Sequence, residues 1–262
     1  MKLTYIFFFG ILLIFFSCKP DSGEKKEESE KWVSLFNGQN LDGWAIKING
    51  HELGENYANT FRVEDSLLKI SYDDYENYGT NYGAIFTEKS FTNYRLRVEY
   101  RFVGDTATGA PNWGFRDSGV QYHCQSAASM EKDQPFPVCL EYNFHGGDGT
   151  NDRPTGQICA LGTALDFQGA PSTEFCVQPE VKRTFHGDQW VIAEVEVKGD
   201  TITHWVNGEK ILTFTNPRYN PEHEYGKNFI QGAKNELRSG HISFQSNSHP
   251  IQFRRVEILE YL

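Results

Sequence analysis

From Tyr94 to Phe102 the chain alternates apolar and charged residues without a break. Leu96, Val98, Tyr100 and Phe102 fall on one side of an extended chain, and Arg95, Arg97, Glu99 and Arg101 on the other. A helix would scatter both sets around its axis, so only a strand with one buried face satisfies this pattern. The same period runs through Gln189–Lys198, where Val191, Ala193, Val195 and Val197 share a side. Strands are also predicted at Trp32–Phe36, Ala84–Phe86, Gln157–Ala160, His241–Gln245 and Gln252–Tyr261. Asn207-Gly208 between Thr201–Val206 and Lys210–Phe214 marks a hairpin, and Phe61–Val63 with Leu67–Ile70 forms another. Asp166–Pro179 reads as irregular and Pro217–Ser239 as a long loop. No helical period survives over a full window after Lys31. About a dozen short strands separated by turn residues predict a single-domain β-sandwich or barrel. No internal repeat suggests a propeller or solenoid.

The composition agrees. Twenty Phe and 13 Tyr against two Met lean toward strands, and 262 residues can bury a real core. A formal net charge of −10 is the wrong sign for a nucleic-acid partner.

The N-terminus has a basic start at Lys2, an apolar run from Tyr5 to Phe16, and then Ser17-Cys18. The run is too short to span a membrane and has the form of a signal peptide. Ending at Cys18, residues 1–18 resemble a bacterial lipoprotein signal with Cys18 lipidated after cleavage. The expectation is an exported protein, held at a bacterial membrane by a lipid anchor and facing the periplasm or cell surface. Residues 19–31 contain Lys, Glu, Ser, Asp, Gly and Pro and read as a disordered tether, with the domain at 32–262.

Four further cysteines, Cys124, Cys139, Cys159 and Cys176, can oxidise in an exported chain. Period-two counting puts Cys124 on an apolar strand face and Cys139 on a polar one, which disfavours a bridge between them. Cys159 with Cys176, or free buried thiols, are both open. No CxxC or Cys/His zinc spacing occurs.

Two strands carry unusual polar faces. In Arg116–Gln125, Gln121, His123 and Gln125 alternate with Val120 and Tyr122. In Pro137–His145, Glu141, Asn143 and His145 alternate with Val138, Leu140, Tyr142 and Phe144. A solvent face usually carries Lys, Glu and Thr, whereas these groups donate, accept and titrate near neutral pH. His204 on the Thr201 strand, and Gln245 and Asn247 on the His241 strand with His249 beyond, add further polar groups. Brought together on one sheet face, they would suit a sugar or a metal. Glu141, flanked by Leu140 and Tyr142, is costly to bury without a partner or a task. His204, next to Trp205, is by itself more often a hydrogen-bonded structural residue. Asp148, Asn151 and Asp152 could bind calcium, but their spacing is that of an ordinary turn rather than an EF-hand. Ser118 lies outside any Gly-x-Ser-x-Gly elbow. Glu141 has no carboxylate two or four residues away, so a two-carboxylate glycosidase is poorly supported.

Several motifs in order resemble the 3-keto-disaccharide hydrolase domain family. They are Leu35-Phe-Asn-Gly-Gln-Asn-Leu-Asp-Gly-Trp44, Phe91–Arg101, Asp117-Ser-Gly-Val120, Leu140-Glu-Tyr142, His204-Trp-Val-Asn-Gly208, Gly240-His-Ile-Ser-Phe-Gln245 and Phe253–Ile258. Asp117 stands where the family usually has Asn, and Asn143 where Gln is common. The resemblance implies an all-β, concanavalin A-like jelly roll acting on a carbohydrate whose C3 is oxidised to a ketone. It implies that Glu141 or His145 removes the C2 proton or ligates a metal, and that His123 and Gln121 line the site. By the same resemblance His204 assists the leaving group, while Asp117, Gln121, Asn143, Gln245 and His249 contact substrate. A divalent metal ion would act as Lewis acid on the ketone. A non-catalytic carbohydrate-binding module or a conventional glycoside hydrolase are the alternatives, since fold does not fix function.

Overall fold

The computed structural model describes residue 1 and residues 31–261. The apolar run, Cys18 and residues 19–30 of the tether lie outside the described residues. Strands are numbered β1 to β17 along the chain, and every pairing is antiparallel. One sheet runs β11 (Ala170–Pro171), β10 (Thr163–Phe167), β15 (Glu209–Tyr219), β14 (Thr201–Val206), β13 (Val191–Lys198), β6 (Tyr94–Phe102), β17 (Ile251–Glu260), β4 (Leu67–Ile70), β3 (Phe61–Glu64), with β1 (Val33–Ser34) also on β17. The second runs β12 (Cys176–Val177), β9 (Ile158–Leu161), β8 (Cys139–His145), β7 (Asp117–Cys124), β16 (His241–Ser246), β5 (Gly83–Thr87), β2 (Trp44–Ile48). Among the described residues helical structure is limited to four short 3-10 turns. The two sheets form the jelly-roll sandwich expected for an all-β chain.

The core is the space between the sheets, filled by the apolar alternates of both. Tyr100 on β6 stacks on Phe144 of β8 with ring centroids 4.0 Å apart, and Phe244 of β16 meets Phe253 of β17 at 4.5 Å. Each fully buried side chain of this size contributes about 1.5–3 kcal/mol, so the alternating pattern is enough to fix which faces meet. Asn207 and Gly208 both have positive φ, 47° and 80°, as the tight hairpin between β14 and β15 requires.

Strands β2, β10, β11 and β12 depart from the sequence reading. Asp166–Pro179 contains the end of β10 and the two-residue β11 and β12, which carry too few residues to show a period. In β2 the alternation is masked by Lys47, which is buried and donates from Nζ to the carbonyls of Ile48 and Lys132 at 2.9 and 2.7 Å.

A bulge overturns part of the predicted polar face. Ser243 pairs with Gln121 but His241 pairs with Cys124, so β7 holds one more residue than β16 between those points. His123 occupies the bulge with φ of 50°. Beyond it the faces of β7 exchange. His123 is buried against Tyr94 of the opposite sheet, with centroids 5.9 Å apart. Cys124 joins Cys139 in a small apolar cluster on the outer face of the seven-stranded sheet, away from the core. Cys124 and Cys139 therefore share a face, contrary to the period-two count, and both are free thiols. Cys159 and Cys176 form a disulfide across the β9–β12 pair.

Candidate active site

Strands β7, β8 and β16 are adjacent, which puts their polar alternates side by side on the outer face of the seven-stranded sheet. Gln121 lies directly opposite Glu141, Gly119 opposite Asn143, and Asp117 opposite His145. A cavity of about 280 Å³ opens over this row, with Asp117, Glu141, Asn143, Gln245 and Asn247 on its polar side. The Cys159–Cys176 disulfide and Leu161 form an apolar flank. Trp113, Phe136 and Phe175 also line it; Trp113 stacks on Tyr82, and Tyr82 meets Phe136 at 5.0 Å. A polar strip bordered by aromatic rings is the usual form of a site for a sugar, which presents hydroxyl edges and apolar faces.

Glu141 is buried at the bottom of this row. Its Oε2 accepts from Gln121 Nε2 at 3.0 Å and from Gln245 Nε2 at 3.3 Å. Its Oε1 has no hydrogen-bond partner among the described residues. Burial pushes the carboxyl up to about 8, against the opposing effect of the Gln121 bond and with a smaller upward push from Asp117. Gln121 is itself held below the cavity, its Oε1 accepting from Ser243 Oγ at 2.9 Å. Gly119 makes room for the carboxylate: a Cβ there would lie 2.7 Å from Glu141 Cγ and Oε1.

The second carboxylate is already engaged. Asp117 Oδ1 accepts from Asn247 Nδ2 at 2.7 Å, while Oδ2 takes His145 Nε2 at 3.1 Å and an ion pair with Arg153 Nη2. Arg153 also donates to the carbonyls of Trp113, at 2.9 Å, and Phe115. His145 lies behind Asp117, its Nδ1 donating to Pro154 O at 3.1 Å. It is not part of the cavity lining.

Three amide oxygens around the cavity, Asn143 Oδ1, Gln245 Oε1 and Asn247 Oδ1, are buried and without a partner. Leaving such acceptors unpaired costs about 1–3 kcal/mol each, so their placement is that of groups waiting for a ligand's donors.

Three predicted histidines lie elsewhere. His204 is in the core between the sheets, donating from Nδ1 to Gly156 O at 3.0 Å and accepting the Tyr122 hydroxyl on Nε2 at 2.7 Å. Burial holds its imidazole down to about 4. It shares the core face of β14 with Ile202 and Val206, both buried, so it does not join the polar row of β7, β8 and β16. His123 was carried into the core by the bulge, and burial lowers it to about 4 as well. His249 is packed between Phe102 and Phe115, bonded to Thr106 Oγ1 at 3.0 Å, and likewise lowered to about 4 by burial. Asp148 caps its own turn, accepting from the N–H groups of Thr150 and Asn151, and those bonds lower it to about 2. Sequence reasoning missed Arg153, Trp113, Phe136 and Phe175, all outside the strands, where no period exists to assign a direction.

The family model for the 3-keto-alpha-glucoside-1,2-lyase-like domain matches residues 31–259. Among curated proteins none matches the chain. Among solved structures, the chain is similar to a candidate glycosyl hydrolase from Parabacteroides distasonis, with 20% identity, TM-score 0.55, and coverage of 91% of this chain and 97% of that one. A second candidate glycosyl hydrolase from the same organism has 17% identity and TM-score 0.51, covering 88% and 100%. A galectin-like protein of unknown function from Bacillus subtilis has 11% identity and TM-score 0.53, covering 88% and 94%. These likenesses are likenesses of fold.

Proposed function

Because this chain belongs to the 3-keto-alpha-glucoside-1,2-lyase-like family, we propose that it breaks the C1–O bond of glycosides whose sugar carries a ketone at C3. The observation that carries this reading is the asymmetry of the two carboxylates. Asp117 is neutralised by Arg153 and bonded on both oxygens, while Glu141 has one free oxygen and titrates near pH 8. Two-carboxylate hydrolysis needs a second free acid or nucleophile. Elimination needs one base, since the ketone acidifies the adjacent C2–H.

In this scheme Glu141 takes the C2 proton. The C2–H electron pair forms the C1=C2 double bond conjugated with the ketone, and the C1–O bond breaks with its electrons on the aglycone oxygen. That oxygen recovers a proton, which protonated Glu141 can return. Water addition to the enone would complete a net hydrolysis. Gln121 and Gln245 hold the carboxylate, and the unpaired oxygens of Asn143, Gln245 and Asn247 receive sugar hydroxyls.

The same atoms bear on a divalent cation. Among the described residues no three His, Cys, Asp or Glu side chains are grouped to hold one. The donor set is nevertheless the oxygen type that hard cations take: the amide oxygens of Asn143, Gln245 and Asn247 would hold it in place of sugar hydroxyls, leaving Glu141 Oε1 free as the base. When bound it would supply Lewis-acid polarisation of the ketone.

The test is incubation of the protein with a chromogenic 3-keto-glucoside and with its unoxidised parent. Cleavage of the keto compound alone, abolished in Glu141→Gln, is the expected result. Release from the unoxidised glucoside would make it a conventional hydrolase. Cleavage of neither by folded protein would leave a carbohydrate-binding module.

A further inference from the structure

A second cavity of about 210 Å³ opens beside the first. Phe136, Leu161 and Phe175 line both, so the two are neighbours with a common wall, and Pro137, His223 and Tyr225 help complete the second. Its chemistry is different. The first cavity has carboxylates and unpaired amides, whereas the second has neither and is walled by rings, prolines and one leucine. Phe175 stands between them with 65% of its surface exposed. Its backbone is nevertheless pinned: its carbonyl accepts from Ala160 N–H at 2.9 Å, and the next residue is the disulfide-bonded Cys176. With Phe136, Leu161 and the neighbouring prolines it makes a contiguous apolar patch, the kind of surface that a ligand covers.

Resting on the reading that the first cavity holds the oxidised sugar, we propose that the second is the aglycone subsite and that it takes an aromatic aglycone. A second hexose would bring several hydroxyl groups that need in-plane partners, and the subsite offers few. A planar ring matches walls made of ring faces and proline edges, where stacking adds to the burial of apolar area. His223 supplies a place for one polar substituent. Its Nδ1 accepts from the N–H groups of Tyr225 and Gly226, both at 3.3 Å, so in the neutral ring Nε2 carries the proton.

Tyr225 belongs to the second cavity and not to the first, so Tyr225→Ala separates the two. The measurement is kcat/KM for a phenyl and a methyl 3-keto-glucoside, taken on wild type and variant so that intrinsic leaving-group reactivity cancels. The phenyl-to-methyl ratio should fall about tenfold in the variant, the effect of exposing one aromatic contact. An unchanged ratio overturns the proposal. Binding of the unoxidised phenyl and methyl glucosides, followed by calorimetry, keeps it testable if no cleavage occurs. A phenyl preference that Tyr225→Ala removes would keep the subsite while the elimination reading fails. Equal binding of the two glucosides by both proteins would remove the subsite.

Discussion

Gln121 and Glu141 are direct cross-strand partners on β7 and β8, and the amide of one holds the carboxylate of the other at 3.0 Å. The pair lies on the outward face of the sheet yet is buried, covered by the loops that form the cavity. A single carboxylate is thus kept in a low-dielectric position with one oxygen secured and the other free. That combination lifts its proton affinity into the physiological range.

Replacing Glu141 by Gln should cut kcat for a 3-keto-glycoside by about 10²–10⁴-fold, the contribution of a positioned base. The fold should survive, since the amide can still accept from Gln121. Folding also gains a pH signature. A carboxyl whose folded value is raised to about 8 contributes stability that is present below its unfolded value near 4.5 and lost as pH rises to 8. Thermal melts across that range should show wild type losing stability relative to Glu141→Gln; parallel curves would mean that Glu141 is not buried as a neutral acid.

The pH–rate profile should rise through an apparent value near 8 in wild type. Gln121→Leu removes the hydrogen bond that favours the ionised form, so the rising limb should shift to higher pH. Retention of the wild-type limb in this variant would dissociate Gln121 from the titrating group.

Gly119→Ala probes the cradle without touching either polar partner. A Cβ 2.7 Å from the carboxylate must displace Glu141, so activity should drop at least tenfold while circular dichroism still reports a folded sheet. Normal activity in a folded variant would show that the carboxylate has room to move.

The buried histidines make an acid-side prediction of the opposite sign. His123, His204 and His249 all titrate near 4 in the folded protein, so their contribution is present above the unfolded value of 6.5 and lost as pH falls toward 4. His204→Ala should lower the melting temperature, because Tyr122 and Gly156 lose a buried partner, at a cost of about 2–4 kcal/mol. The specific activity of the folded fraction should be retained. Loss of turnover at full stability would return His204 to the chemistry.

Reduction of Cys159–Cys176 should destabilise the fold by about 3 kcal/mol, as expected for a loop of 17 residues. It should also weaken substrate binding, since the bridge flanks the cavity beside Phe175. A melting temperature indifferent to reductant would mean that the surrounding strands alone hold that wall.

Alternation with a period of two was enough to read most of the strands, the Asn207-Gly208 hairpin, and the exceptional polar row on β7 and β8, because a strand's side-chain directions follow from residue count alone. That count places Glu141 and Asn143 together and marks Glu141 as the costly residue. It says nothing about strands of two residues, which exist only because neighbours pair with them. It fails where one inserted residue at His123 exchanges the faces of β7, sending a histidine inward and Cys124 outward. Which loop closes over a face is likewise beyond periodicity. Trp113, Phe136 and Phe175 reach the cavity, and Arg153 reaches Asp117, from segments far from β7 in sequence or on irregular backbone, and only the packing of the whole chain sets their direction. The sequence by itself determined most of the strands, the sides they turn to the core and the identity of the buried acid. Tertiary structure decided which polar groups surround it, because bulges and loop closure are settled by contacts between segments and not by spacing within one.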